Sequence, residues 1–176
     1  MPVMPDPLHP AIIHFPVVLI LLGTFAAGAA VFWRKHYVPA LAAVLLALGA
    51  LGAWVAVETG KSDGGLAENL SPQAEALLDA HQNWAERTLT LAAIAAVAAV
   101  ASVWLFRHPR AARTVAIAAA LIAGAASFAL YQTGHRGGAL VFRHGLGVDV
   151  AAPARSAEGP ANTISIEPAK EAEKGD

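Results

Sequence analysis

The chain contains no cysteine and few charged residues. The absence of cysteine among its 176 residues excludes disulfides, thiolate metal sites, iron–sulfur clusters and haem attachment through a Cys-x-x-Cys-His motif. Charged residues make up 14% of the chain and apolar residues 56%, whereas a soluble protein carries about 25% charged residues. The chain therefore lacks the polar residues that would cover a water-exposed surface. Its formal net charge of −1 gives no indication of nucleic-acid binding.

The N-terminal segment also lacks the basic stretch that begins a secretory signal. The residues MPVMPDPLHP contain no Lys or Arg, and no cleavage site follows a short apolar core. We therefore expect no cleavable signal peptide. The first apolar run is expected to stay in the protein as a membrane anchor.

Four long apolar runs dominate the sequence. Each contains 18 to 22 residues and no Asp, Glu, Lys or Arg. A helix of about 20 residues crosses the hydrocarbon core of a bilayer, whereas a helix of a soluble bundle needs a polar stripe. The runs predict an all-α, integral membrane four-helix bundle. The predicted spans are residues 12–33, 38–57, 88–106 and 114–131.

The third helix is expected to extend well beyond the bilayer. Ser71 followed by Pro72 is typical of a helix start, because serine caps the first turn and proline fits its first position. Nothing breaks a helix between this point and Phe106, so we expect an extramembrane extension from about residue 71. The transmembrane domain is assigned to residues 1–150. Residues 151–176 mix Pro, Gly, Ala, Glu and Lys without periodicity, which predicts a disordered polar tail.

The loops predict the orientation of the bundle. The first loop carries Arg34 and Lys35, and the third carries three arginines and no acid, whereas the connection over residues 58–87 is mainly acidic. Because basic loops stay in the cytoplasm, the first and third loops are predicted to be cytoplasmic. Both termini and the long middle loop then lie outside the cytoplasm.

Two features suggest how the helices are related. The segment Glu58-Thr59-Gly60 after the second span is similar to Gln132-Thr133-Gly134 after the fourth, which would fit two duplicated helical hairpins; chance similarity in an alanine-rich chain is the alternative. Small residues at helical spacing predict close helix packing, in one bundle or in a homodimer. The glycines concerned are Gly23, Gly28, Gly49, Gly52 and Gly124.

The distribution of histidines is the main functional clue. His36 and His108 lie in the basic loops, where we interpret them as solvated. The other five map to the outer side: His9, His14, His81, His135 and His144. Since imidazole is a common ligand of haem iron, zinc and copper, we predict a b-type haem with His14 and His81 as axial ligands. His9, His135 and His144 would then be alternative ligands or surround the site.

Alternatives remain open at this stage. A copper or zinc site would need three or four of the same five histidines, and the only methionines, Met1 and Met4, offer little to copper. The histidines could also be interfacial side chains of a non-catalytic subunit of a membrane complex. No Ser-His-Asp grouping or His-Glu-x-x-His motif is present, so we expect a binding or electron-transfer module rather than an enzyme.

Two further segments have simple interpretations. Glu58 is either a proton-relay residue or part of a solvated helix end that Gly60 caps. The glycines of the segment 134–138 are expected to let the chain turn back tightly against the outer mouth of the bundle. That turn would place His144 over the bundle.

Several motifs together resemble a known family, the bacterial membrane proteins called domain of unknown function 2231. They are HPAIIHFP at residues 9–16, Thr59-Gly60, His81 and GGALVFRHGLGV at residues 137–148. The resemblance implies a four-helix domain in the bacterial inner membrane and no established activity. It also implies an association with redox proteins, and hence a periplasmic redox partner beside the lipid bilayer.

Overall fold

The computed structural model describes residues 12–33, 35, 37–65 and 70–146. Within these ranges lie four long helices and no strand. All four are long and apolar enough to cross a membrane, which confirms the predicted all-α membrane fold. His9, His36 and the tail 151–176 lie outside the described residues. The helices are α1, His14–Phe32; α2, Tyr37–Gly65; α3, Pro72–Trp104; and α4, Pro109–His144, with a 3-10 turn at Leu105–Arg107 between the last two.

The helices form an up-and-down bundle. Each helix packs against the next in the chain, and α1 also packs against α4, which closes the ring. Helices α1 and α3 therefore lie diagonally opposite each other. Most buried core positions are alanine, with two large side chains, Ile20 and Leu46, fully buried among them. Methyl side chains let the backbones approach closely, which is how helices associate in lipid.

The outward faces of the bundle are apolar. Phe25, Val97 and Leu121 expose 75%, 70% and 71% of their surface. A large apolar surface of this kind is unfavourable in water and is the normal surface of a helix in lipid, where the backbone hydrogen bonds are satisfied within the helix. The exposed faces thus agree with membrane insertion.

Glycines determine how close α1 and α2 can come. A Cβ atom added at Gly49 would lie 2.9 Å from Cγ1 of Ile20, and one added at Gly23 would lie 2.9 Å from the Leu46 side chain. By contrast, Gly124 has no atom within 4 Å of such a Cβ, nor does Gly28. Two of the small residues singled out in the sequence therefore take no part in packing within one chain.

Helices α3 and α4 are much longer than a bilayer is thick. With 33 and 36 residues they span roughly 50 and 54 Å, against a hydrocarbon core of about 30 Å. Helix α3 begins at Pro72, and the Ser71 hydroxyl accepts a hydrogen bond from the Ala74 N–H at 3.3 Å. Its first turns lie beyond the charge-free run.

Two local expectations were wrong. Helix α4 does not turn back at its glycines but continues to His144 and ends at Gly145, whose φ of 66° is left-handed. The glycines cost helix stability, and Gly137 is tolerated because it packs against α3. Gly60 does not cap α2, which continues to Gly65.

Candidate functional site

The described histidines of the predicted site all lie at one end of the bundle. His14 starts α1, His81 lies in the first part of α3, and His135 and His144 lie in the last part of α4. We call this the histidine end. The opposite end, with Lys35, Arg107, Arg110 and Arg113, is called the basic end. Of the four histidines, His81 is partly buried and the other three are exposed.

His81 occupies a groove between α3 and α4. Its Nδ1 lies 3.0 Å from the carbonyl oxygen of Thr133. A carbonyl can only accept a hydrogen bond, so Nδ1 carries the proton. A Cβ added at Gly137 would lie 3.0 Å from Cε1 and 3.2 Å from Nδ1 of the ring. The Cε1–Nδ1 edge of the ring therefore packs against a residue that has no side chain, and the neighbouring helix fixes the orientation of the ring.

Two threonines, Thr88 buried and Thr133 partly buried, lie beside this groove. Their hydroxyl oxygens are 3.2 Å apart, and each also lies 2.9 Å from the carbonyl oxygen four residues earlier in its own helix. Thr88 is only 3% exposed. Together with His81, these residues hold α3 and α4 in a fixed register at the histidine end.

The remaining candidate ligands have different settings. His135 is two residues from Thr133, so it projects from the opposite side of α4, where its ring stacks on Tyr131 with centroids 6.2 Å apart. His144 is seven residues beyond Gly137 and thus on the same side of α4, about 10 Å further out. His14 is exposed on the helix diagonal to α3. Joint ligation by His14 and His81 stays a prediction.

The interior of the bundle is closed towards the histidine end. Ile20, Ala53, Ala92 and Ala126 form one buried cluster there. A group as large as haem would therefore bind at the outer mouth of the bundle or against the α3–α4 groove, and not within the core. A small cavity of about 20 Å³ lies at the basic end, far from the histidine end.

His81 fits the role of a ligand to a metal or to haem iron. Since Nδ1 is engaged by a backbone carbonyl, Nε2 is the ring nitrogen that would bind the metal. Within the part of the chain that the structure describes, no three His, Asp or Glu side chains converge as a metal-binding group. Haem iron takes only one or two protein ligands, whereas zinc takes three or four.

Glu58, the other residue considered from sequence, is exposed on α2. One turn further on, Lys61 forms an ion pair with Glu86 of α3, with Nζ and Oε1 2.8 Å apart. This ion pair ties the projecting end of α2 to α3. A proton-relay role for Glu58 stays a prediction.

Sequence reasoning missed one polar cluster at the histidine end. The guanidinium groups of Arg87 and Arg136 both lie over the Trp84 ring. The signal was present in part, since Arg87 is the last charge before the third apolar run and Trp84 precedes it by one turn. The contribution of Arg136 could not be seen, because α4 was expected to end before it.

Comparisons with known proteins give one finding. Searches of the curated proteins and of the solved structures found no match. The model of the family described as predicted membrane protein (DUF2231) matches residues 5–150, and the chain therefore belongs to this family.

Proposed function

We propose that this chain is a bacterial inner-membrane redox module that holds b-type haem at its histidine end, with His81 as one axial ligand. The setting of His81 carries the proposal: its Nδ1 donates to the Thr133 carbonyl, and its ring lies against Gly137. Histidines that bind metals almost always donate their second ring N–H in this way, which fixes the tautomer and raises the basicity of the ligating nitrogen.

The surroundings of His81 favour a ligand role. The ring is partly buried between two helices beside the apolar spans, so it is held in one orientation without free rotation. Haem supplies one-electron redox chemistry when bound, while the protein supplies ligand, orientation and a low-dielectric setting. His14 of the same chain is the proposed second ligand, with His9, His135 and His144 as the alternatives.

We place the histidine end outside the cytoplasm. The basic end carries Lys35, Arg107, Arg110 and Arg113 in its loops and helix starts, which favours a cytoplasmic position for that end. The site would then exchange electrons between the membrane and a periplasmic redox partner.

A second candidate is a non-catalytic membrane subunit. The hydrogen bond from His81 to the Thr133 carbonyl links α3 to α4. Such a link between helices would explain the presence of His81 without any cofactor. A copper or zinc site is less favoured, because it would need His9 or a second copy of the chain to complete its ligands.

A haem titration separates these functions. Purified protein would be titrated with haemin in detergent while the Soret band is recorded, for the unchanged chain, His81→Ala, His14→Ala and the control His108→Ala. The proposal predicts saturable binding that His81→Ala abolishes and that His108→Ala, an exposed histidine at the basic end, leaves intact. Loss in His14→Ala as well identifies the second ligand.

Other results would redirect the assignment. Binding that survives His81→Ala would move the ligands to His9, His135 or His144. No saturable binding would refute the haem proposal, and metal analysis of the purified protein would then decide between a zinc or copper site and a structural subunit.

A further inference from the structure

A cluster of two arginines and one tryptophan lies between α3 and α4 at the histidine end. The guanidinium carbon of Arg87 is 4.8 Å from the centroid of the Trp84 ring, and that of Arg136 is 5.2 Å from it. Phe128 meets the same ring edge-on, with centroids 6.1 Å apart and an interplanar angle of 81°. We call Trp84, Arg87 and Arg136 the arginine–tryptophan cluster.

The cluster lies at the depth of lipid headgroups. Arg87 directly precedes the charge-free run of α3. Arg136 of α4 donates from Nη1 to the carbonyl of Gln132 at 3.0 Å and to the side-chain oxygen of Gln132 at 3.2 Å. Its guanidinium is therefore drawn about one turn back towards the apolar run of α4. Phe128, which belongs to the apolar run of α4, is 57% exposed. The cluster therefore joins a lipid-facing aromatic surface to the aqueous boundary.

The two positive charges of the cluster have no carboxylate partner among the described residues. The one ion pair within those ranges is Lys61–Glu86, which engages the acid that directly precedes Arg87. An aromatic ring attracts a cation but does not neutralise it. Arg87 and Arg136 thus hold two like charges against one ring, and an anion beside them would relieve their repulsion.

We propose that the arginine–tryptophan cluster binds the phosphate of an anionic phospholipid in the outer half of the bilayer. Guanidinium groups match phosphate oxygens with paired N–H donors. The acyl chains would then lie along Phe128. This site does not use the His81 ring as a ligand, and its place in the outer half of the bilayer rests on the orientation proposed above.

Quenching of Trp84 fluorescence by brominated lipid tests the proposal. The protein would carry Trp84 as its single tryptophan, with Trp33, Trp54 and Trp104 replaced by phenylalanine. It would be placed in phosphatidylcholine nanodiscs that contain increasing fractions of brominated phosphatidylglycerol, or of brominated phosphatidylcholine as the neutral lipid. We expect brominated phosphatidylglycerol to quench Trp84 at a mole fraction at least tenfold lower than brominated phosphatidylcholine. One charge-assisted contact contributes about a factor of ten in affinity.

Variants assign the preference to the arginines. The double variant Arg87→Gln with Arg136→Gln should lose the preference for phosphatidylglycerol. Arg87→Lys with Arg136→Lys, which keeps the charge, should retain part of it. A matched protein with Trp104 as its single tryptophan, at the basic end, should quench equally with and without the glutamine substitutions.

Three results would overturn the proposal. They are equal quenching of Trp84 by both lipids, a preference that survives the glutamine double variant, and competition by millimolar inorganic phosphate. The last result would assign the cluster to a soluble anion and not to a lipid.

Discussion

The contact between His81 and Gly137 gives the sharpest stability prediction. Gly137→Ala adds a Cβ at 3.0 Å from Cε1 and 3.2 Å from Nδ1 of His81, so the ring must move by a few tenths of an ångström. The movement lengthens the 3.0 Å bond from Nδ1 to the Thr133 carbonyl. Alanine also raises helix propensity by about 1 kcal/mol, which would hide part of the cost in a single measurement.

A matched variant removes this complication. Gly134 lies one turn earlier in α4, and a Cβ added there meets no atom within 4 Å. Gly134→Ala therefore gains the same propensity without a clash. Overpacking costs roughly 1–3 kcal/mol, and a weakened interhelical bond in a membrane protein adds about 0.6 kcal/mol. We expect Gly137→Ala to be less stable than Gly134→Ala by about 1–3 kcal/mol.

Reversible unfolding in mixed micelles with increasing denaturing detergent would measure this difference. The ¹⁵N chemical shifts of the His81 ring report directly whether Nδ1 keeps its hydrogen bond. Equal stability of the two variants, together with an unchanged Nδ1 resonance, would refute the argument that Gly137 holds the ring in place.

Three further substitutions test the packing and the helix extension, the first two by the same unfolding assay and the third by amide hydrogen exchange. Gly49→Ala should be less stable than Gly124→Ala by about 1–3 kcal/mol, because both gain helix propensity but only the Cβ at residue 49 would clash with α1; equal effects would contradict the packing. Thr24→Val removes the bonds to the Ala123 carbonyl and the Ser127 hydroxyl and should cost about 0.5–1.5 kcal/mol, whereas the control Thr114→Val, which loses only a bond within its own helix, should cost less than about 0.5 kcal/mol. Ser71→Ala removes the cap of α3 and should speed amide hydrogen exchange in its first turn, at a cost of about 1 kcal/mol; unchanged exchange would show that the cap does not hold the helix start.

The four helices were predictable because the membrane imposes a simple condition. A charge-free run such as 88–106 has no polar face to expose to water. Within lipid, a helix satisfies the backbone hydrogen bonds of such a run internally. The start of α3 could also be predicted from the sequence, since Ser71 and Pro72 favour a helix start through local backbone geometry. These conclusions depend on neighbouring residues in the chain and not on tertiary contacts.

The course of α4 could not be read from the sequence. Three glycines within five residues ordinarily predict a turn, because each costs about 1 kcal/mol in a helix. Gly137 stays helical because the absence of a side chain admits the His81 ring from α3. The cost is local and visible in the sequence, whereas the compensation is an interhelical contact that becomes visible only in the fold.

The candidate site was predictable in its location but not in its geometry. Loop charge and helix order predict that the five histidines lie on one side, and the four that the structure describes lie at one end of the bundle. Which of them converge depends on which helices are neighbours and which are diagonal. His81 meets Thr133 because α3 and α4 are adjacent, and His14 lies on the diagonal helix. Periodicity carries no information on that arrangement.

The proposed redox function depends on ligation of haem by His81 in the native protein. The most direct measurement is the dithionite-reduced minus oxidised absorption spectrum of the protein purified from haem-supplied cells, with His81→Ala purified in parallel. If His81 ligates haem, we expect a Soret band and sharp α and β bands that His81→Ala lacks, while the variant keeps the helical circular dichroism of the unchanged chain. A featureless spectrum of the unchanged chain, or identical bands in both proteins, would contradict it.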